Sequence, residues 1–290
     1  MTHPLPSTRH PGHDHGCAHG PVHRGLTESL AELLDLDAAV LGSYLGEATL
    51  WASALAAAPP RTVVDLGAGT GVGAFALAAR FPSADVVALD RTATMLRRIE
   101  DTARGTASSD RVRTLEADVD VAWPALGPVD LVWSSSALHE VADPGRVLDD
   151  VRTALRPGGL VVILESAGPA RFAFGPAAGL EPAFAARLRD AERTLRGDAE
   201  VDWGLPLAEV GLPLVDRRTF TATARPGSPG VGRYVRLYLE RIRSGLQERL
   251  GAPDLATLDA LLAARGADAP LSSGDVTIRT TRTAWAARRP

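Results

Sequence analysis

After the Pro59-Pro60 pair the chain alternates short apolar runs with longer amphipathic stretches, the pattern of a parallel sheet covered by helices. Strands are predicted at Thr62 to Leu66, Asp85 to Leu89, Arg111 to Leu115, Val129 to Trp133 and Leu160 to Glu165. Helices fit between them at Gly73 to Arg80, Ala93 to Ala103 and Gly145 to Leu155. The last of these is expected to stop at Arg156-Pro157-Gly158-Gly159, where proline cannot continue a helix and glycine permits a turn into the next strand.

The flanks read differently. From Leu26 to Ala58 the apolar residues Leu30, Leu33, Leu34, Val40, Leu41 and Leu45 recur at helical spacing, with Asp37 as an expected N-cap. Beyond Glu165 the pattern predicts a helix at Pro182 to Leu195, a strand at Leu214 to Ala224, and a helix marked by Val235, Leu239, Ile242, Leu246 and Leu250. It then predicts a helix at Leu255 to Ala264 and a closing strand at Val276 to Ala287. The expected organisation is therefore a His-rich disordered tail (1–25), N-terminal helices (26–58), a sheet-and-helix core (59–165), and remaining strands with a helical insertion (166–290).

Composition narrows the function. At 290 residues, 45% apolar and 23% charged, the chain is long enough for a full core, and its net charge of -4 lacks the basic footprint of a nucleic-acid binder. All 31 basic residues are arginine, which excludes Schiff-base and P-loop lysine chemistry. The single cysteine, Cys17, cannot make an internal disulfide, and the first 25 residues hold no apolar run behind basic residues. These features predict a cytoplasmic protein with no membrane partner. Six of the seven histidines lie in the tail, which is read as solvated and without metal; only His139 lies elsewhere.

The chemistry gathers at the carboxyl ends of the strands, the edge where open α/β sheets bind ligands. Asp65 ends the first strand, and Gly67, Gly69 and Gly71 follow in GxGxG spacing before a helix, letting backbone approach a ligand near a positive helix end. Asp90 ends the second strand, placed to accept from both hydroxyls of a ribose. Asp118 follows the third, where it can meet an exocyclic amine.

These pieces, with the Val129 to Trp133 strand and the Arg156 to Gly159 turn, resemble the class I S-adenosylmethionine-dependent methyltransferases over residues 61–165. The resemblance implies a Rossmann-like, doubly wound α/β fold with a mainly parallel seven-stranded sheet, the last strand antiparallel, and helical additions at both ends. It implies S-adenosylmethionine as cofactor, with Asp65 and the glycines Gly67, Gly69 and Gly71 at its methionine portion, Asp90 at the ribose and Asp118 at the adenine. An NAD(P)-dependent oxidoreductase is the alternative, since Gly69 to Ala74 also satisfies G-x-G-x-x-A, although no Tyr-x-x-x-Lys pair can exist without lysine. A catalytically inactive cofactor-binding regulator is another.

The loop after the fourth strand, Ser134 to Glu140, faces the methyl group in that family, which makes His139 the candidate catalytic residue, either as a general base or as a pocket-lining group. The loop lacks the Asn/Asp-Pro-Pro-Tyr/Phe motif of enzymes that methylate DNA amino groups or glutamine. With the acidic balance, this points to a small-molecule acceptor held between the helices of 26–58 and the segment after Ser166.

Overall fold

A computed structural model describes residues 21–106, 110–176, 179–181, 183–196, 201–266, 269, 271 and 275–290. Most of the expected tail, with its cysteine and five of its histidines, lies outside those residues. The first helix, α1 (Pro21–Leu41), begins inside the stretch expected to be tail, and α2 (Ser43–Leu55) follows it.

The core then alternates as its pattern predicts: β1 (Thr62–Leu66), α3 (Val72–Arg80), β2 (Asp85–Asp90), α4 (Ala93–Ala103), β3 (Val112–Glu116), β4 (Val129–Ser135), α5 (Pro144–Ala154) and β5 (Leu155–Ser166). Side chains of one strand leave the sheet on alternate faces, and here the two faces feed two cores. Val63, Leu131, Val162 and Leu164 pack on one side with α1, α2, α3 and α8 (Val231–Arg243). Val64, Val132, Val161 and Ile163 pack on the other with α5 and α7 (Gly204–Glu209). Because both faces are covered, the strands carry continuous apolar runs rather than an alternation with polar residues.

The Arg156 to Gly159 segment does not end a helix at a turn. It lies within β5, where the register with β4 jumps from Val129↔Leu155 to Leu131↔Leu160, so the four residues form a bulge. Gly158 supplies the left-handed backbone this needs, with φ +81, and Arg156 bonds Asp130 at 2.9 Å.

After β5 come β6 (Arg171–Phe174), α6 (Phe184–Arg196), α7, β7 (Leu214–Ala224), α8, α9 (Ala252–Ala263) and β8 (Val276–Arg288). Among the described residues the sheet has eight strands, not the seven expected. β5 pairs with β8 from Leu160↔Arg288 to Ser166↔Arg282, and β6 continues along the same strand from Arg171↔Arg279 to Phe174↔Val276. A break at Ala167 to Ala170 thus splits one ladder position into two strands. β7 pairs antiparallel with β8 over Leu214 to Ala224. The sheet is parallel from β3 through β5 and closes antiparallel, and no helix among the described residues is long and apolar enough to cross a membrane.

Asp37 does not cap a helix. It lies inside α1, on the side that faces α8 and β8.

Candidate active site

The turn after β1 is built around one buried carboxylate. Asp65 is 2% exposed, and its Oδ2 has no hydrogen-bond partner, while the Ala74 N–H at the start of α3 bonds the same carboxylate. Burial pushes its pKa up from 3.8 to about 7, the Ala74 hydrogen bond opposing this and the charge of Asp90 adding to it. A side chain at Gly73 would sit 2.7 Å from that free oxygen, so glycine is needed to leave the carboxylate room. Gly67 and Gly69 have positive φ and line the cavity above the turn. Gly71 has φ +87 but stands beneath, where a Cβ would meet Ile99 at 2.7 Å; it shapes the turn without reaching the cavity wall.

Asp90 clamps this turn to the next strand. Its Oδ2 accepts from Gly69 N at 2.9 Å and its Oδ1 from Thr92 N at 2.8 Å, and Thr92, not Asp90, is the residue before α4. Each oxygen keeps a lone pair for a ligand. Asp118 is exposed on the same wall and accepts from Asp120 N at 3.0 Å. Asp120 accepts from Ala142 N at 2.9 Å and ties the loop after β3 to the loop after β4.

A cavity of about 550 Å³ spans these residues, and a smaller one of about 140 Å³ adjoins it over Asp65. The two share Leu34, Asp37, Gly67, Gly69, Ser136 and Arg282 in their walls. Ser136 has φ +54, a left-handed conformation unusual for a residue with a side chain, held here by Ser136 N donating to Leu164 O at 2.8 Å.

His139 lies three residues further on, on a single 3₁₀ turn, Leu138–Glu140. Its Nδ1 is 2.9 Å from Glu165 Oε2, and its Nε2 is 3.4 Å from Glu140 Oε1. Contacts with Glu140 and Glu165 push the imidazole pKa up to about 10, against the desolvation of its pocket. With a carboxylate facing each ring nitrogen, this setting favours the protonated imidazole over one with a nitrogen free to accept a proton. Glu165, at the end of β5, is 8% exposed.

Residues 63–159 match a family model described as a methyltransferase domain. Over this stretch, about a third of the chain, the core is similar to the class I S-adenosylmethionine-dependent methyltransferases. The chain is 35% identical over 102 residues to trans-aconitate 2-methyltransferase of Azoarcus sp. (strain BH72), covering 35% of this chain and 38% of that one. It is 31% identical over 172 residues to malonyl-[acyl-carrier protein] O-methyltransferase of Xylella fastidiosa (strain M23), covering 57% of this chain and 53% of that one. It therefore spans about half or less of these relatives' length. The structure of a type II methyltransferase candidate from Anaeromyxobacter dehalogenans superposes with a TM-score of 0.55 at 18% identity, over 84% of this chain and 95% of that one, a likeness of fold.

The smaller cavity suits the amino-acid end of such a cofactor. An ammonium is what a buried carboxylate with an unpartnered oxygen lacks, and the smaller cavity opens on that residue. Opposite Asp65 stands Arg282 of β8, which spacing along the chain could not reveal. It is 9% exposed, bonds Asp37 at 2.6 Å, lies 4.3 Å over the Tyr44 ring and keeps its Nε without a partner. Tyr234 of α8 donates to the other oxygen of Asp37 at 3.0 Å. An acidic residue amid the apolar positions Leu33, Leu34, Val40 and Leu41 was the one sequence signal for this network.

Proposed function

We propose that the protein is an S-adenosylmethionine-dependent methyltransferase acting on a small-molecule acceptor. The observation that carries the reading is Asp65, a buried carboxylate with one unsatisfied oxygen beside a glycine turn. Leaving such a group unpaired costs free energy that a bound ammonium restores. In this reading Asp65 receives the ammonium of the methionine portion and Gly67 and Gly69 admit it against the backbone. Asp90 accepts from the ribose hydroxyls, Asp118 meets the adenine amine, and Gly71 supports the turn from below.

The cofactor, when bound, supplies a methyl group on a sulfonium, an electrophile that needs no further activation. What the chain contributes is alignment and exclusion of water. Leu30, Leu33 and Leu34 of α1 wall the cavity, so residues 26–58 act as its cap, 59–165 as the cofactor core and 166–290 as the acceptor side. His139 faces the acceptor as a fixed cation. A small-molecule acceptor accords with the relative named for trans-aconitate and with the negative net charge. A cytoplasmic setting suits a chain with one cysteine. The dinucleotide alternative is not favoured, since the matching family model and relatives are methyltransferases.

Calorimetric titration tests the reading. S-adenosylhomocysteine is expected to bind, NAD(P) not, and Asp65→Asn to weaken the former about 10-fold to 100-fold, the range for a hydrogen bond to a charged group. Binding of NAD(P) alone would overturn the assignment, and acceptor-dependent release of S-adenosylhomocysteine excludes an inactive regulator.

A further inference from the structure

We propose that the acceptor is a carboxylate and that the product is its methyl ester, with His139 and Arg241 holding the acid in the place Glu140 now occupies. This rests on the methyltransferase reading above and specifies its acceptor.

The acceptor end of the cavity is apolar and aromatic over most of its wall, with Leu30, Leu33, Tyr238 and Ile242 contributing. His139, Glu140, Arg91 and Arg241 are among the polar groups of the cavity wall. Glu165, buried behind the ring, fixes Nδ1 and turns Nε2 toward the cavity. Glu140 meets Nε2 at 3.4 Å through a side chain 62% exposed, a long and solvated contact that a ligand can displace. Arg241 lines the same cavity from α8, and among the described residues it has no hydrogen-bond or ion-pair partner. Its charge acts on Glu140, as does that of Arg91 at the same wall. Three cations thus surround one exposed carboxylate that no other group holds. An incoming carboxylate exchanges with Glu140 for the same partners and brings apolar surface that Glu140 lacks.

Proton accounting leads to the same acceptor class. Both imidazole nitrogens face carboxylates, so the ring has no place for a third proton. Tyr234 donates its hydroxyl hydrogen to Asp37, and Tyr238 donates to the buried Glu192. A phenol or an ammonium would have to pass a proton to one of the carboxylates of the wall, whereas a carboxylic acid is ionised at neutral pH and needs no such step. In the transfer, a lone pair on the acceptor's carboxylate oxygen forms the new bond to the methyl carbon. The carbon–sulfur bond breaks and its electron pair stays on sulfur. One anion and one sulfonium become a neutral ester and a neutral thioether, and no proton moves. Such charge annihilation is favoured in an apolar cavity.

The test uses full-length protein saturated with S-adenosylhomocysteine and the probes benzoate, cinnamate and octanoate, each paired with its carboxamide. By calorimetry, at least one acid is expected to bind about tenfold or more tightly than its amide. Arg241→Gln should abolish that ratio. Glu140→Gln should raise it by removing the internal competitor, a gain that a merely structural role would not produce. With S-adenosylmethionine, mass spectrometry should find the methyl ester. Acids binding no better than amides, or a ratio unmoved by both substitutions, would overturn the proposal, as would methylation of phenols or amines but of no acid in protein that binds S-adenosylhomocysteine. Failure to bind S-adenosylhomocysteine at all would instead bring down the methyltransferase reading, and this one with it.

Discussion

Asp65→Asn should make the ligand-free protein more stable in mild alkali and less able to bind its cofactor. In the folded chain the carboxyl titrates near 7 because it is buried, against an ordinary value of 3.8. Between those values the unfolded chain has released the proton and the folded chain still holds it, so stability falls as pH rises, and the fall is complete above about 7. At roughly 1.4 kcal/mol per pH unit the whole interval is worth about 4 kcal/mol, and the part between pH 5 and pH 8 about 3 kcal/mol. Asparagine does not titrate. Its amide nitrogen can be left unsatisfied at a cost of about 1–3 kcal/mol, but that cost is the same at every pH. The stability difference between variant and wild type should therefore move by about 3 kcal/mol in the variant's favour from pH 5 to pH 8, whatever its absolute value. Urea unfolding at several pH values measures it, and S-adenosylhomocysteine should then restore the wild type's stability far more than the variant's. A difference that stays flat with pH would refute the buried-carboxylate argument.

Three further outcomes follow from the same geometry. Glu165→Gln removes one of the two carboxylates that hold the His139 proton, so the imidazole pKa should fall by about one pH unit or more when followed by NMR. In the wild type this raised pKa contributes stability that is complete below pH 6.5 and is lost as pH rises through about 10. Arg282→Met leaves the Asp37 carboxylate without its cation in a half-closed pocket and should cost about 3–5 kcal/mol in urea, with Asp37→Asn in the same chain recovering part of the loss. Gly71→Ala forces a Cβ onto Ile99 at an unfavourable φ and should lose about 1–3 kcal/mol of stability with little change in S-adenosylhomocysteine affinity, because Gly71 is off the cavity wall.

The core was legible because strands covered on both faces leave unbroken apolar runs, as in Thr62–Leu66 and Leu160 to Glu165. Local signals misled where the tertiary setting decided. Arg156-Pro157-Gly158-Gly159 has turn chemistry, yet pairing on either side absorbs it as a bulge. Asp37 looks like a cap, but Arg282 lies 245 positions away in sequence and only the folded chain brings it near. Asp65, Gly67, Gly69, Asp90, Asp118 and His139 were visible because each follows a strand at the sheet's carboxyl edge. Glu165 has that same position on β5, so the rule that found the others could have found it. Arg241 and Tyr234 come from an inserted helix whose amphipathic pattern says only that it packs.

The arrangement of charge under α1 accounts for why this helix closes the site. Its outer pairs, Asp35 with Arg98 and Glu32 with Arg233, are exposed and worth little each, about 0–1 kcal/mol. What fixes α1 is the burial of Leu33 and Leu41 together with Asp37, whose two oxygens are taken by Arg282 and Tyr234. That network lies against the smaller cavity beside Asp65, so the groups that anchor the cap also form the wall where the cofactor's amino-acid portion would sit. A ligand filling that space shields the Asp37–Arg282 pair from water and supplies the missing partner of Asp65. A ligand that fills this space would therefore be coupled to the position of α1 through the same few side chains.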